Sequence, residues 1–357
     1  MPGLQEIVLL IIAWFAVIGA VDKMRGNPRG YGEEFEKGFA AMGPLAIVMI
    51  GMISLAPVLA SLLKPAVVPV YQFFGADPAM FATSLLALDM GGYALAGELA
   101  ESEDAARFAG ILLGTMLGPT LTFTVPVALG IIERKDREHL AKGILAGIIT
   151  IPIGLLAGGA AAGFSLGNMV SNTIPVLLFS LIVLAGLMLN SAAMIAAFQV
   201  LGRFVLIFTT AATTVVLLET VLNITIIPGM APPEEGIVTV GTIALTLAGA
   251  FPMVSFIKIV LRKSVWTEKH TDGQSLAGIV SSLAHAIPMF VLSKDMNEKG
   301  KVVNFAFAVS GAFVLGGHLA FTAAVDREMI QPMIIGKLTA GVTAILMALF
   351  LLRQRKH

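Results

Sequence analysis

The chain has no cysteine, which excludes disulfides, thiolate metal sites and cysteine nucleophiles. Histidine is nearly as scarce, with five in 357 residues and none in the H-E-x-x-H spacing of a zinc helix. Charge is sparse too: 13% of residues are charged, against roughly 25% in a soluble domain. The 23 basic residues balance 23 acidic ones, so there is no basic excess to attract nucleic acid. What fills the chain is apolar, 57% hydrophobic with a mean hydropathy of +0.90. These values define an all-α polytopic membrane protein whose main surroundings are the lipid bilayer. No metal and no cofactor is expected.

The first apolar stretch, Leu4 to Val21, lacks the positively charged leader of a signal peptide. Its nearest charge is Glu6, and the cluster Lys23, Arg25, Arg29 and Lys37 follows it. That order predicts a true span with the N-terminus outside. Spans of about 20 apolar residues are expected near 4–21, 39–63, 105–132, 142–164, 173–200, 203–227, 237–261, 302–324 and 336–352. Two more apolar segments are interrupted. The first, about 80–98, carries Asp89 and Gly91-Gly92; the second, about 275–293, carries His285 and Pro288.

The two halves resemble each other. Gly43 to Gly51 lines up with Gly241 to Gly249 at an offset of 198; Ser84, Glu98, Phe108 and Gly114 meet Ser281, Asp295, Phe305 and Gly311 at 197. Each match is weak, but the nearly constant offset predicts an internal duplication. Residues 1–165 form the first repeat, 166–201 a linking transmembrane helix, and 202–357 the second repeat.

Basic residues decide how the interrupted segments sit. If all eleven segments cross, the two sides receive 11 and 12 lysines and arginines, which is no bias. If both interrupted segments dip in and return, one side collects 19 and the other keeps Lys64, Arg107, Arg327 and Lys337. The positive-inside rule favours that arrangement: nine spans plus two re-entrant hairpins, in two inverted repeats. Such hairpins are tolerated at depth only where they line a cavity or are covered by protein, and matched interruptions in two halves mark a transporter's binding site.

Asp89 is the leading candidate. A carboxylate at bilayer depth costs about 2.5–3.5 kcal/mol even on lenient scales, and a charge held there invites a cation. Its bland alternative is capping the break at Gly91-Gly92 or pairing with Arg107. Pro119 and Thr120 interrupt span 105–132, and Gly317 and His318 interrupt 302–324 at the matching place. Thr120, Thr122 and Thr124 either bind a substrate hydroxyl or satisfy the kinked backbone. Tyr93, Phe81 and Phe123 are candidates for cation–π contact. Glu219 is a candidate for proton or ion coupling or for helix packing, while His285 and His318 read more simply as satisfied core histidines. Glu98 and Asp295 mark hairpin ends. The stripe Gly110, Gly114 and Gly118 is a close-packing face, and Glu33 to Lys37 reads as a solvated connector.

The motifs Phe39 to Ala46, Met49 to Ala60, Gly75 to Ala82, Asp89 to Gly92, Leu117 to Thr120 and Gly143 to Gly154 resemble the bacterial ethanolamine permease family of the ethanolamine-utilisation system. The resemblance covers essentially the whole chain. Relative to that pattern, loop 22–38 and the C-terminal tail are short. It implies a non-enzymatic permease of the cytoplasmic (inner) membrane that carries ethanolamine, a small protonated amino alcohol. The basic-residue count puts the C-terminus inside, and the hairpin architecture makes the chain a candidate homo-oligomer. The substrate-binding candidates are Asp89, Gly91, Gly92, Tyr93, Pro119, Thr120, His285, Pro288, Gly317 and His318. The alternative is a proton- or sodium-coupled carrier of another small organic cation. An intramembrane enzyme lacks a nucleophile–base or metal-ligand motif, and a scaffold needs no matched helix breaks.

Overall fold

The computed structural model describes residues 3–265 and 273–354. Lys269, Arg355 and Lys356, three of the 19 basic residues assigned above to one side, lie outside them. Regular structure among the described residues is all helical. Eight helices among the described residues are long and apolar enough to cross a bilayer. The ninth expected span, 302–324, is present as two helices, Glu298–Ser310 and Gly317–Val325, with a turn segment at 311–316 between them.

The helix α1 (Leu4–Met24) ends where Gly26 and Asn27 take positive φ. The carboxylate of Asp22 accepts from the amides of Arg29, Tyr31 and Gly32, which turns the chain into α2 (Tyr31–Ala40). The expected solvated connector is therefore a helix. Gly32 and Gly38 let it lie directly on the backbones of Lys23 and Ala248, and Lys37 pairs with Glu33 and Glu34 along its exposed side. Next, α3 (Met42–Phe73) runs ten residues past the expected end at 63 and carries Pro57, Pro65 and Pro69 inside it. At 32 residues it spans about 48 Å, longer than the roughly 30 Å apolar core of a bilayer.

The first interrupted segment is a helical hairpin, α4 (Ala79–Leu85) and α5 (Gly92–Leu99). Arms of seven and eight residues reach only about 10–12 Å. Asp77 pins their outer ends together, accepting from the amide of Ala79 at 2.9 Å and that of Glu101 at 3.0 Å. The second interrupted segment repeats the design with α11 (Gly273–Ser282) and α12 (Ala286–Leu292). There Met296, just past the second arm, packs on Gly278 in the first.

Between the hairpins lie α6 (Glu103–Ile131), α7 (Arg137–Ala161), α8 (Leu166–Leu189), α9 (Ser191–Leu222) and α10 (Pro233–Val265). The α8–α9 break falls at Asn190, whose side chain accepts from the amide of Ala193, not near 201 as expected. Arg203, the first residue of the expected span 203–227, is instead an exposed residue inside α9. The chain closes with α13 (Glu298–Ser310), α14 (Gly317–Val325) and α15 (Ile330–Gln354).

Burial separates centre from rim. The α6 core window is 83% buried, whereas those of α1 and α9 are 11% and 22% buried. Rim helices expose large apolar side chains such as Leu10, Trp14, Ile182 and Phe204, the surface expected of helices facing lipid rather than water. All of Gly300 to Ser310 in α13 is buried. The two broken spans, α6 and α13–α14, thus form the centre.

Candidate transport site

Each hairpin tip presses on the break of a central span. In the first half the tip is the extended Leu86 and Ala87, a short 3-10 turn at Leu88–Met90, and Gly91 at φ +87°. Only a glycine adopts that backbone freely. The carbonyl of Leu86 occupies the space where a side chain on Gly118 would begin. Further up the same face, Gly114 receives Leu88 and Thr83, and Gly110 receives Tyr93. The glycine stripe is therefore the bed of the first hairpin, within one chain.

In the second half the carbonyl of Ala284 occupies the corresponding space over Gly316. Two backbone bonds of 2.8 Å, from Phe313 to Ser282 and from Leu315 to Leu283, sew this tip to the broken span. The two contacts, 86 with 118 and 284 with 316, are related residue for residue by an offset of 198.

The breaks differ in kind. In α6, π-helical turns at Phe108–Leu112 and Thr120–Thr124 flank a 3-10 turn at Leu113–Thr115; such local widening is frequent at functional sites. The single hydroxyl proton of Thr120 is shared between the carbonyls of Met116, at 2.7 Å, and Val309, at 2.9 Å, and so ties the two broken spans together. Thr122 donates to Gly118. Both hydroxyl protons thus serve the kinked backbone.

The sequence-derived candidates fall into two groups. Asp89 and Met90 are half-buried at the first tip, and Asp89 makes no ion pair among the described residues. Arg107, its suggested partner, binds Glu103, Asp326 and Glu328 instead. Gly91, Tyr93 and Leu88 border a cavity of about 210 Å³ that also touches Glu98, Glu235 and Phe321. Tyr93 and Phe321 meet edge to face at 5.4 Å. Adjoining it, a wider vestibule of about 530 Å³ shares Tyr93 and Glu98 and adds Arg107 and Asp326. Gly92 serves the tip itself, with its amide bonded to Ala87.

At the second tip His285 begins α12, its Nδ1 accepting from the amide of Ile287. The ring of Phe313, a non-glycine residue at φ +64°, sits between His285 at 4.9 Å and His318 at 5.1 Å. Phe123 completes this aromatic group. His318 is buried, and its Nδ1 has no hydrogen-bond partner among the described residues. Gly317 opens onto free space. Pro288 is exposed in the first turn of α12, where a missing amide hydrogen matters little. Phe81 lies apart, edge-on to Tyr71. Glu219 accepts from the amides of Ile226 and Ile227 at the end of α9, so its carboxylate organises the 223–232 loop.

Several features of the breaks escaped the sequence reading. Phe321 lines the first cavity, and Glu98, read only as a hairpin end, lines it too; the buried hydroxyls of Thr83 and Ser310 have no partner among the described residues. Lys337, 1% exposed, reaches the Thr115 carbonyl at 2.6 Å. A lysine inside an apolar 27-residue span is itself a signal by the rule that intramembrane charges do work; here it was read only as one of the few basic residues on its side.

Hairpins, broken helices and a lipid-facing rim define a polytopic α-helical membrane protein. A family profile described as "Ethanolamine utilisation protein, EutH" matches residues 4–351, so the chain belongs to the EutH family. It is 50% identical over 352 residues to a probable ethanolamine permease of Listeria monocytogenes, covering 98% of this chain and 94% of that one. The corresponding Escherichia coli protein, also named a probable ethanolamine permease, is 43% identical, covering 98% of this chain and 96% of its own. An uncharacterized Bacillus subtilis protein, YxeR, is 50% identical, covering 95% and 93%. No solved structure matches.

Proposed function

We propose that this protein moves ethanolamine into the cell across the cytoplasmic membrane, as a facilitator or secondary transporter working by alternating access. The observation that carries the reading is the paired contact of Leu86 with Gly118 and Ala284 with Gly316. It supports two inverted repeats, nine spans and two re-entrant hairpins, with the substrate site where tips and breaks meet. The names of the relatives supply the substrate class.

Ethanolamine enters the outer vestibule as its ammonium form. Glu98 attracts it, and the electron-rich faces of Tyr93 and Phe321 offer cation–π contact below. The 210 Å³ cavity is roomy for a molecule of four heavy atoms. Asp89, free of any ion pair at the adjacent tip, is the carboxylate that receives the cation once the tip moves. The His285, Phe313 and His318 group closes the other side. Orientation follows the basic residues, with the N-terminus outside and the C-terminus in the cytoplasm.

The test is saturable uptake of labelled ethanolamine into proteoliposomes, with choline and ammonium as competitors. Asp89→Asn is expected to abolish it. Uptake retained at normal affinity would remove Asp89 from the substrate path.

A further inference from the structure

Proline at 119 has no amide hydrogen, so it takes away the donor that an α-helix would aim at the carbonyl four residues back. That carbonyl belongs to Thr115, at the end of the 3-10 turn in the middle of α6. Lys337, from α15, fills the place: its Nζ donates to the Thr115 oxygen at 2.6 Å. The lysine is 1% exposed and makes no salt bridge with any described carboxylate. Its Nζ makes no other hydrogen bond among the described residues. An amine carried into the core by a flexible stem, to a carbonyl released by a helix break, differs from an ion pair that merely joins two helices. The contrast is inside this chain, where buried Lys301 has Asp136 at 2.8 Å through both oxygens.

Carbonyls of interrupted helices near the membrane midplane are where secondary transporters hold a dissolved coupling cation. We propose that the Thr115 carbonyl is a monovalent-cation site and that the Lys337 ammonium is its resident occupant. Thr120, one residue past the proline, links the same break to Val309 of the other broken span. A cation at Thr115 therefore sits where the two halves are joined. The consequence is that this break takes up no sodium. That consequence for coupling rests on the transporter reading above; the occupancy of the site does not.

The experiment measures thermal unfolding of the purified full-length protein in detergent, without ethanolamine, in chloride salts of sodium, potassium, ammonium and choline. Wild type is expected to have the same midpoint in all four. Lys337→Ala, which leaves room for an ion, is expected to unfold lower in choline chloride and to regain stability saturably in at least one small-cation salt. Lys337→Met, which fills the room without charge, is expected to stay low in every salt.

An alanine variant indifferent to all four salts overturns the proposal, as does saturable sodium stabilisation of wild type. If the alanine variant cannot be purified, Lys337→Gln decides, since it keeps a donor and drops the charge. Wild-type stability and uptake in that variant show that a neutral hydrogen bond suffices, and the proposal fails. Loss of both supports it. The salt titration reads the site whatever amine the protein carries.

Discussion

The carbonyl oxygen of Leu86 lies where a side chain on Gly118 would begin, so tip and break touch backbone to backbone. Ala284 and Gly316 repeat the relationship. Backbone contact leaves no soft side chain to give way. Gly118→Ala and Gly316→Ala are each expected to destabilise by about 1–3 kcal/mol through overpacking and to cut uptake sharply. Gly130 and Gly241 sit in helices with open space around them. Alanine there is expected to be neutral or to stabilise by up to about 1 kcal/mol. Unfolding midpoints and initial uptake rates of the four variants check this, and equal behaviour of the two pairs would falsify the tip-on-break contact.

Asp77 holds the two ends of the first hairpin through the amides of Ala79 and Glu101. Asp77→Ala leaves both donors without that acceptor and is expected to lose about 1–3 kcal/mol. Asp77→Asn keeps one carbonyl oxygen and is expected to lose less. Because the damage is at the base, protease sensitivity should rise near 74–78 and 100–102 while the α13–α14 half stays protected. Uniform sensitivity along the chain contradicts a local pin.

Much of this architecture is legible in the sequence. The interruptions at Gly91-Gly92, Pro119 and Gly317 are visible because glycine and proline punctuate otherwise continuous apolar runs. The hairpins followed from where lysine and arginine are tolerated. What stayed hidden was pairing across the sequence. Nothing near Lys337 points to Thr115, 222 residues away, and Arg107 suits Asp89 as well as Asp326 until the fold selects Asp326. Local signals also misled where a polar group had two uses. Arg203 stood at the start of an expected span and lies exposed within α9, while Asn190, a helix cap, is the true break.

Thr120 and Thr122 show how a hydroxyl near a break divides between substrate and backbone. Both donate to carbonyls inside the protein. Thr122→Val removes one such bond and is expected to lose about 0.5–1.5 kcal/mol with KM for ethanolamine unchanged. Thr120→Val also breaks the link to Val309, so its effect is expected on the maximal rate. A raised KM in either variant would instead assign that hydroxyl to the substrate.

Glu98 is exposed on the vestibule wall and makes no ion pair among the described residues. Its field acts on a cation before contact, so its influence is long-range and screened by salt. Glu98→Gln is expected to raise KM several-fold at low ionic strength with the maximal rate retained, a loss of uniform binding. The difference from wild type should shrink as salt is added. A salt-independent change in the maximal rate would place Glu98 in the moving parts rather than at the entrance.

The absence of cysteine makes the proposed topology directly testable, because each introduced thiol is the sole one. Arg107 beside Glu103, Asp326 and Glu328 puts residues 103 and 328 at one end of the bundle. Lys301 on Asp136, with His139 beside Glu298, gathers residues 133 and 298 at another place. If the hairpins are re-entrant, Ser102→Cys and Glu328→Cys are expected to react with a membrane-impermeant maleimide added to intact cells. Glu33→Cys, Glu133→Cys and Glu298→Cys should react only after the membrane is opened. The hairpin at 77–101 carries the decision. Were it a full crossing, Ser102 would change sides relative to residues upstream, and Ser102→Cys would label with Glu33→Cys.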